Sequence, residues 1–237
     1  MVLADRNPTG IARVAADLGD RVLPHTCDVA ADDDIAALVS RASEWGGGRI
    51  DGLCNNAGVN FSKPFLDTTP EDWAKVISVD LRAVFFLSQL AARHMVTQHP
   101  RGGSIVNISS VHSLACLPGA GPYDAAKWGV VGMGKAIAVE LASQGVRVNA
   151  LSPGLCDTQI WSDLLEAADD ADACLAHWQR NIPLQRPVRP AEVGELAAFL
   201  LSDRAAAITG TNTVIDGGMT AQLVSEEPFD SQNIDAQ

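Results

Sequence analysis

The chain has one tyrosine, Tyr123, and Lys127 follows it four residues later. On an α-helix that spacing brings both side chains to one face. A phenol beside an ammonium suits proton transfer at a hydroxyl. Taking a hydride from an alcohol requires that the hydroxyl proton leave as well. A tyrosine ordinarily titrates near pH 10, so acting as a base needs a lowered pKa, and an adjacent ammonium supplies it. Ser110 adds a hydroxyl able to bond a substrate oxygen and to stabilise charge developing there. Ser109 beside it reads as ordinary strand-end capping. Taken alone, a Tyr-x-x-x-Lys pair arises by chance in many proteins and reads as a surface pair. Its context decides what it means.

Short apolar runs at Val2–Ala4, Arg21–Thr26, Leu53–Cys54, Ser104–Ile108, Val146–Leu151 and Thr213–Ile215 read as strands. Segments of helical period lie between them, at Ile11–Leu18, Asp33–Trp45, Pro70–His99, Ala125–Gln144 and Pro190–Ser202. Strands apolar on both faces, alternating with helices, predict an α/β doubly wound parallel sheet. Pro24 removes a ladder donor, which predicts a sheet edge for its strand. Ligands of such sheets bind beyond the carboxyl ends of the strands. That rule gathers Asp5, Asp28, Asn55–Gly58, Ser109–Ser110 and Pro153–Gly154 around one crevice.

Composition narrows the partners. In 237 residues, 47% are hydrophobic and 19% charged, which excludes a disordered, collagen-like or coiled-coil chain. A net charge of -12 argues against nucleic acid and anionic membranes. No apolar stretch is long enough to span a bilayer, and Asp5 and Arg6 interrupt any secretion signal at once. Five scattered cysteines without a CxxC read as reduced thiols, not as a disulfide frame or metal site. These features predict a cytoplasmic protein.

The sequence contains Asn55-Asn56-Ala57-Gly58, Ile105-Val106-Asn107-Ile108-Ser109-Ser110, Tyr123-Asp124-Ala125-Ala126-Lys127, Pro153-Gly154 with Thr158, and a closing Asp216-Gly217-Gly218. In combination, from Val2 to about Gly218, these motifs resemble the short-chain dehydrogenase/reductase family. The resemblance implies a single Rossmann-type domain over residues 1–224 and leaves 225–237 as an acidic tail. It further implies a nicotinamide dinucleotide, a small-molecule alcohol or ketone substrate, and a homo-oligomer, tetramer or dimer. Tyr123 becomes the acid/base, Lys127 its electrostatic support and the anchor of the nicotinamide ribose, and Ser110 the substrate-orienting group. Where the family usually has Asn, this chain has Asp80, on the apolar stripe of the helix beginning at Pro70. A carboxylate there is costly unless paired or hydrated. Asp80 is either a catalytic residue acting through its main-chain carbonyl or a structural bond to a neighbouring helix.

Asp5, at a strand tip, suits the ribose hydroxyls of NAD and repels a 2′-phosphate, which makes NADP the less expected cofactor despite Arg6. Asp28 and Val29 match the family's adenine contact. Asn55, Ala57 and Gly58 line the cofactor's middle, while Pro153, Gly154 and Thr158 match the segment holding the nicotinamide amide. Residues 156–189 stand where the family has a variable lid. Their acidity favours a neutral polyol, sugar or cyclic ketone over an anionic substrate. Trp161, His177, Trp178 and His112 read as packing or exposed groups, although His112 lies close enough to Ser110 to face a pocket.

One family feature has no counterpart. A dinucleotide fold places its ribose-binding acid roughly twenty residues after a glycine-rich turn. Here that acid is Asp5, and Gly46-Gly47-Gly48 comes after the next helix, too late to serve. The expectation is a gap between the Val2–Ala4 and Leu53–Cys54 strands and a weakened pyrophosphate site. An upstream segment, a partner strand, or a shift of the Met1–Asp5 strand into the slot could fill it. The competing reading of the whole chain is a redox-inactive binding or scaffold subunit.

Overall fold

The computed structural model describes residues 1–166 and 168–223, and the acidic tail expected over 225–237 lies outside them. In chain order the elements are β1 (Val2–Asp5), α1 (Pro8–Leu18), β2 (Leu23–Thr26), α2 (Asp32–Trp45), β3 (Gly52–Asn55), α3 (Pro70–Ile77) and α4 (Ala83–Thr97). There follow β4 (Gly103–Ile108), α5 (Gly121–Leu141), β5 (Val146–Pro153), α6 (Gln159–Glu166), α7 (Ala171–Arg180), α8 (Pro190–Leu201) and β6 (Asn212–Ile215). Every strand pair is parallel, as expected for strands joined by helical crossovers.

Local chemistry explains the helix starts. Asn7 accepts from the Gly10 N–H ahead of Pro8, and Thr69 and Asp72 form a reciprocal capping box ahead of Pro70. The helix expected over Pro70–His99 is divided. Between α3 and α4, residues Ser78–Arg82 form one π-helical turn, in which the Ala83 N–H reaches the Ser78 carbonyl. The extra residue in that turn rotates the backbone around Asp80, the position where the apolar stripe carries a charge. The lid region, left without elements by sequence, forms α6 and α7, and Asp170 caps the latter.

The core lies on both faces of a four-stranded sheet in the order β3-β4-β5-β6. Successive strand residues point to opposite faces, and Ile105 and Val106 show it. Ile105 packs with Ile35, Val39, Leu87, Met95 and Ala138 from α2, α4 and α5. Val106 packs with Ala197 and Leu200 of α8 on the other side. This two-sided burial brings the strand tips after β3, β4 and β5 together at one end.

β1 and β2 form a separate two-stranded sheet, in register from Val2 with Leu23 to Asp5 with Thr26. Pro24 accordingly sits in an edge strand. Helix α2 touches both β1 and α4, while α4 covers β3, so the two sheets lie under one helical layer. Among the described residues no strand joins β1 to β3. The expected gap is present, and β1 has not shifted into it: its partner is β2.

Candidate active site

Ser110 ends the segment leaving β4, and Tyr123 and Lys127 lie one turn apart in the first half of α5. The helix is fixed against the sheet by Ser109, whose hydroxyl donates to the Lys127 carbonyl at 2.9 Å. Ser109 therefore does more than cap a strand; it sets the position of the helix that carries the ammonium. The Lys127 side chain runs inward, with Nζ 5.2 Å from the centre of the Tyr123 ring and 3.4 Å from the Ile108 carbonyl. The residue is only 5% exposed. Burial lowers its pKa, and the nearby Asp80 charge opposes that shift.

The Tyr123 phenol is pushed up to about 12. Burial is the main cause, a hydrogen bond from Ser110 works against it, and the neighbouring Asp80, Cys156 and Asp124 add to it. The net lowering expected from Lys127 is therefore not observed. The ammonium shares its field with Asp80, and desolvation of the phenol dominates.

Asp80 is fully buried. Its Oδ1 accepts from the Val59 N–H at 2.8 Å, and Oδ2 has no hydrogen-bond partner. Burial raises its pKa, while Lys127 and the Val59 bond pull it back. The structural bond expected to a neighbouring helix goes instead to the loop after β3. Gly58 of that loop passes so close that a Cβ there would lie 3.2 Å from Asp80 Oδ1 and 3.6 Å from Lys127 Nζ.

A family model described as enoyl-(acyl carrier protein) reductase matches residues 1–220. The chain belongs to the short-chain dehydrogenase/reductase family. It is an oxidoreductase of the class acting on CH–OH groups with a nicotinamide cofactor. The 3-oxoacyl-(acyl-carrier-protein) reductase FabG of Thermotoga maritima is 37% identical over 217 residues, covering 92% of this chain and 85% of that protein. Cyclopentanol dehydrogenase of Comamonas testosteroni is 38% identical over 173 residues, 73% of this chain and 67% of that one. A solved candidate short-chain alcohol dehydrogenase from Sinorhizobium meliloti superposes with a TM-score of 0.86 at 33% identity, covering 94% of this chain and 86% of its own.

The remaining positions singled out by sequence fall at the same end of this dehydrogenase/reductase fold, with differences in detail. Asp5 closes β1, exposed, and accepts from the Asn7 N–H at 2.8 Å. Asp28, just past β2, is also exposed and accepts from the Ala30 N–H. Val29 packs against the α2–α4 core. Asn55 is buried, and its amide donates to Asn107 and Ser88, which ties β3 to β4 and α4. Ala57 and Gly58 are exposed in the following loop. Pro153 is buried, and Gly154 runs against Asp216 so closely that a Cβ would lie 2.9 Å from the Asp216 Cα. Thr158 is exposed, and its carbonyl accepts from the Trp161 and Ser162 N–H groups in the first turn of α6.

Two residues of the site were missed or undervalued by sequence. His112 packs its ring against Tyr123, as the packing reading expected, and its Nδ1 also bonds to Asp124 Oδ1. Asp124 carried no signal beyond its place after Tyr123. Trp161, by contrast, is buried against Trp178, in keeping with packing.

The residues suit a nicotinamide dinucleotide at its two riboses. Gly58 leaves bare backbone beside a carboxylate and an ammonium, Asp80 keeps an unpartnered oxygen there, and Asp5 presents an exposed acid at a strand tip.

Proposed function

We propose that the protein interconverts a secondary alcohol and a ketone with NAD(H), on a neutral cyclic, polyol or sugar substrate. The observation carrying this reading is the convergence of Ser110, Lys127 and Asp80 on the sole tyrosine, Tyr123. Lys127, Asp5, Asp28, Ala57, Gly58, Gly154 and Thr158 would hold the cofactor, which would supply or accept the hydride. Tyr123 handles the proton. With the phenol held near 12, its resting form is protonated and ready to donate to a ketone oxygen during reduction. Ser110 bonds the same substrate oxygen and stabilises the charge developing on it. In oxidation the proton moves from the alcohol oxygen to the Tyr123 oxygen, which requires alkaline conditions or a stronger influence of Lys127.

Asp5 supports NAD over NADP, because a carboxylate repels a 2′-phosphate. The similarity to the Comamonas cyclopentanol dehydrogenase supports a cyclic alcohol. A cytoplasmic homo-oligomer, tetramer or dimer, completes the proposal; no helix among the described residues is long and apolar enough to cross a membrane. The test is NADH formation with a panel of cyclic alcohols, polyols and sugars, repeated with Tyr123→Phe. Loss of at least a hundredfold in kcat is expected, in line with the contribution of a positioned acid/base. Undiminished turnover in the mutant removes the assignment. Calorimetry with NAD and NADH separates an enzyme from a redox-inactive binding subunit before any substrate is known.

A further inference from the structure

Ser110 and Tyr123 stand near the two ends of the loop between β4 and α5, and one side-chain pair ties those ends together. His112, two residues past Ser110, bonds through Nδ1 to Oδ1 of Asp124, one residue past Tyr123. The His112 main-chain N–H also donates to Ser110 Oγ at 3.2 Å. Its ring stands edge-on to the Tyr123 ring, with centroids 5.1 Å apart and planes at 80°. Asp124 is 8% exposed, so its charge is poorly screened by water. A buried carboxylate beside a phenol opposes formation of the phenolate, and Asp124 acts on Tyr123 in that direction.

We propose that His112 and Asp124 form a positioning pair for Tyr123, in which the imidazole holds the carboxylate and the two together set the pH at which the phenol gives up its proton. Facing this pair and the phenol are Ser110 and Cys116 from the loop, Lys127 and Trp128 from α5, Asp80 from the π-helical turn and Cys156 after β5. Within this group Ser110 bonds to Tyr123 and the Cys116 thiol to Asp124, while His112 and Asp124 form the ring-to-carboxylate bond across the loop. With Asp124 ionised, the bond requires the proton on Nδ1 of His112. Removing the imidazole leaves Asp124, next to Tyr123, with the weak thiol donor of Cys116 in place of its stronger partner. Removing the charge of Asp124 takes away one of the groups opposing ionisation.

The proposal rests on Tyr123 as the acid/base group, so its first readout is independent of turnover. Because Tyr123 is the sole tyrosine, a fluorinated tyrosine supplied during expression labels it alone. Fluorination also brings the titration to lower pH through the inductive effect of fluorine. Fluorine NMR then follows one phenol in the full chain and in the variants Asp124→Asn, His112→Ala and His112→Gln. Asp124→Asn is expected to raise the ionisation constant about tenfold, and His112→Ala to lower it by a comparable factor. His112→Gln, which keeps a donor for Asp124, should fall close to the parent. The alkaline limb of alcohol oxidation should move with the phenol, at unchanged KM. A merely structural pair would loosen the site, and both Asp124→Asn and His112→Ala would drift toward the free phenol; that result overturns the proposal, as does an unmoved titration in Asp124→Asn. If the opposed shifts appear while Tyr123→Phe still turns over, the positioning pair stands and the role of Tyr123 as acid/base falls.

Discussion

The two sheets of this molecule are built from similar sequence and end in different states. β1 reads Val-Leu-Ala and β4 reads Ile-Val-Asn-Ile, both apolar runs of the sort buried on two faces. Ile105 and Val106 of β4 are fully buried between helices on either side. Leu3 and Ala4 of β1 are only half-buried, and Gly52 and Cys54 on β3 are exposed. A strand becomes core only when it is paired along both edges and covered on both faces. β4 has β3 and β5 as neighbours, whereas β1 has β2 alone. The cofactor residues divide the same way: Asp5 and Asp28 belong to the small sheet, and the Tyr123 site belongs to the large one.

The largest effect should come from joining the sheets. A fusion placing a strand, a glycine-rich turn and a helix ahead of Met1 would supply backbone N–H donors to a pyrophosphate. Two charge-assisted hydrogen bonds of about 1.5–3 kcal/mol each correspond to roughly 10²–10⁴-fold tighter NAD binding by calorimetry. In the same fusion Cys54 should become protected from thiol reagents. Low-micromolar NAD affinity in the chain without the fusion would break the comparison, because it would place a phosphate site within the present residues.

Truncation measures the two sheets directly. Ile105→Ala should cost about 2–5 kcal/mol in urea unfolding, the range for a fully buried aliphatic side chain. Leu3→Ala should cost about 1 kcal/mol, since its surface is already partly wet. Equal losses would mean that both sheets share one core.

A comparable effect depends on pH and belongs to the large sheet alone. The folded protein holds the Tyr123 proton up to about 12, whereas an unfolded chain releases it near 10. The resulting stability is fully present below pH 10 and is lost as the pH rises toward 12. Its size is about 2–3 kcal/mol. Tyr123→Phe should flatten that alkaline decline in denaturation curves, whereas Leu3→Ala should leave its slope intact.

The order of strands and of the helices outside the lid, the parallel pairing, the edge position of Pro24 and the strand-tip location of the site were legible because periodicity and breakers act over a few residues. The convergence of Ser110, Tyr123 and Lys127 was legible because the first is fixed by a strand end and the other two by one helical turn. The π-helical turn at Ser78–Arg82 was not, since nothing in local propensity separates it from the helix around it. Nor was the partner of Asp80, a main-chain N–H contributed by a loop more than twenty residues earlier.

The sequence by itself determined which groups are available for chemistry and which strand ends carry them, for those follow from short-range order. Only the tertiary structure decided how they behave. Burial took the Tyr123 phenol upward against the expectation from its lysine, and the loop closed His112 onto Asp124. Desolvation and Coulomb interactions depend on every chain segment packed around a group, and those segments come together only through the fold.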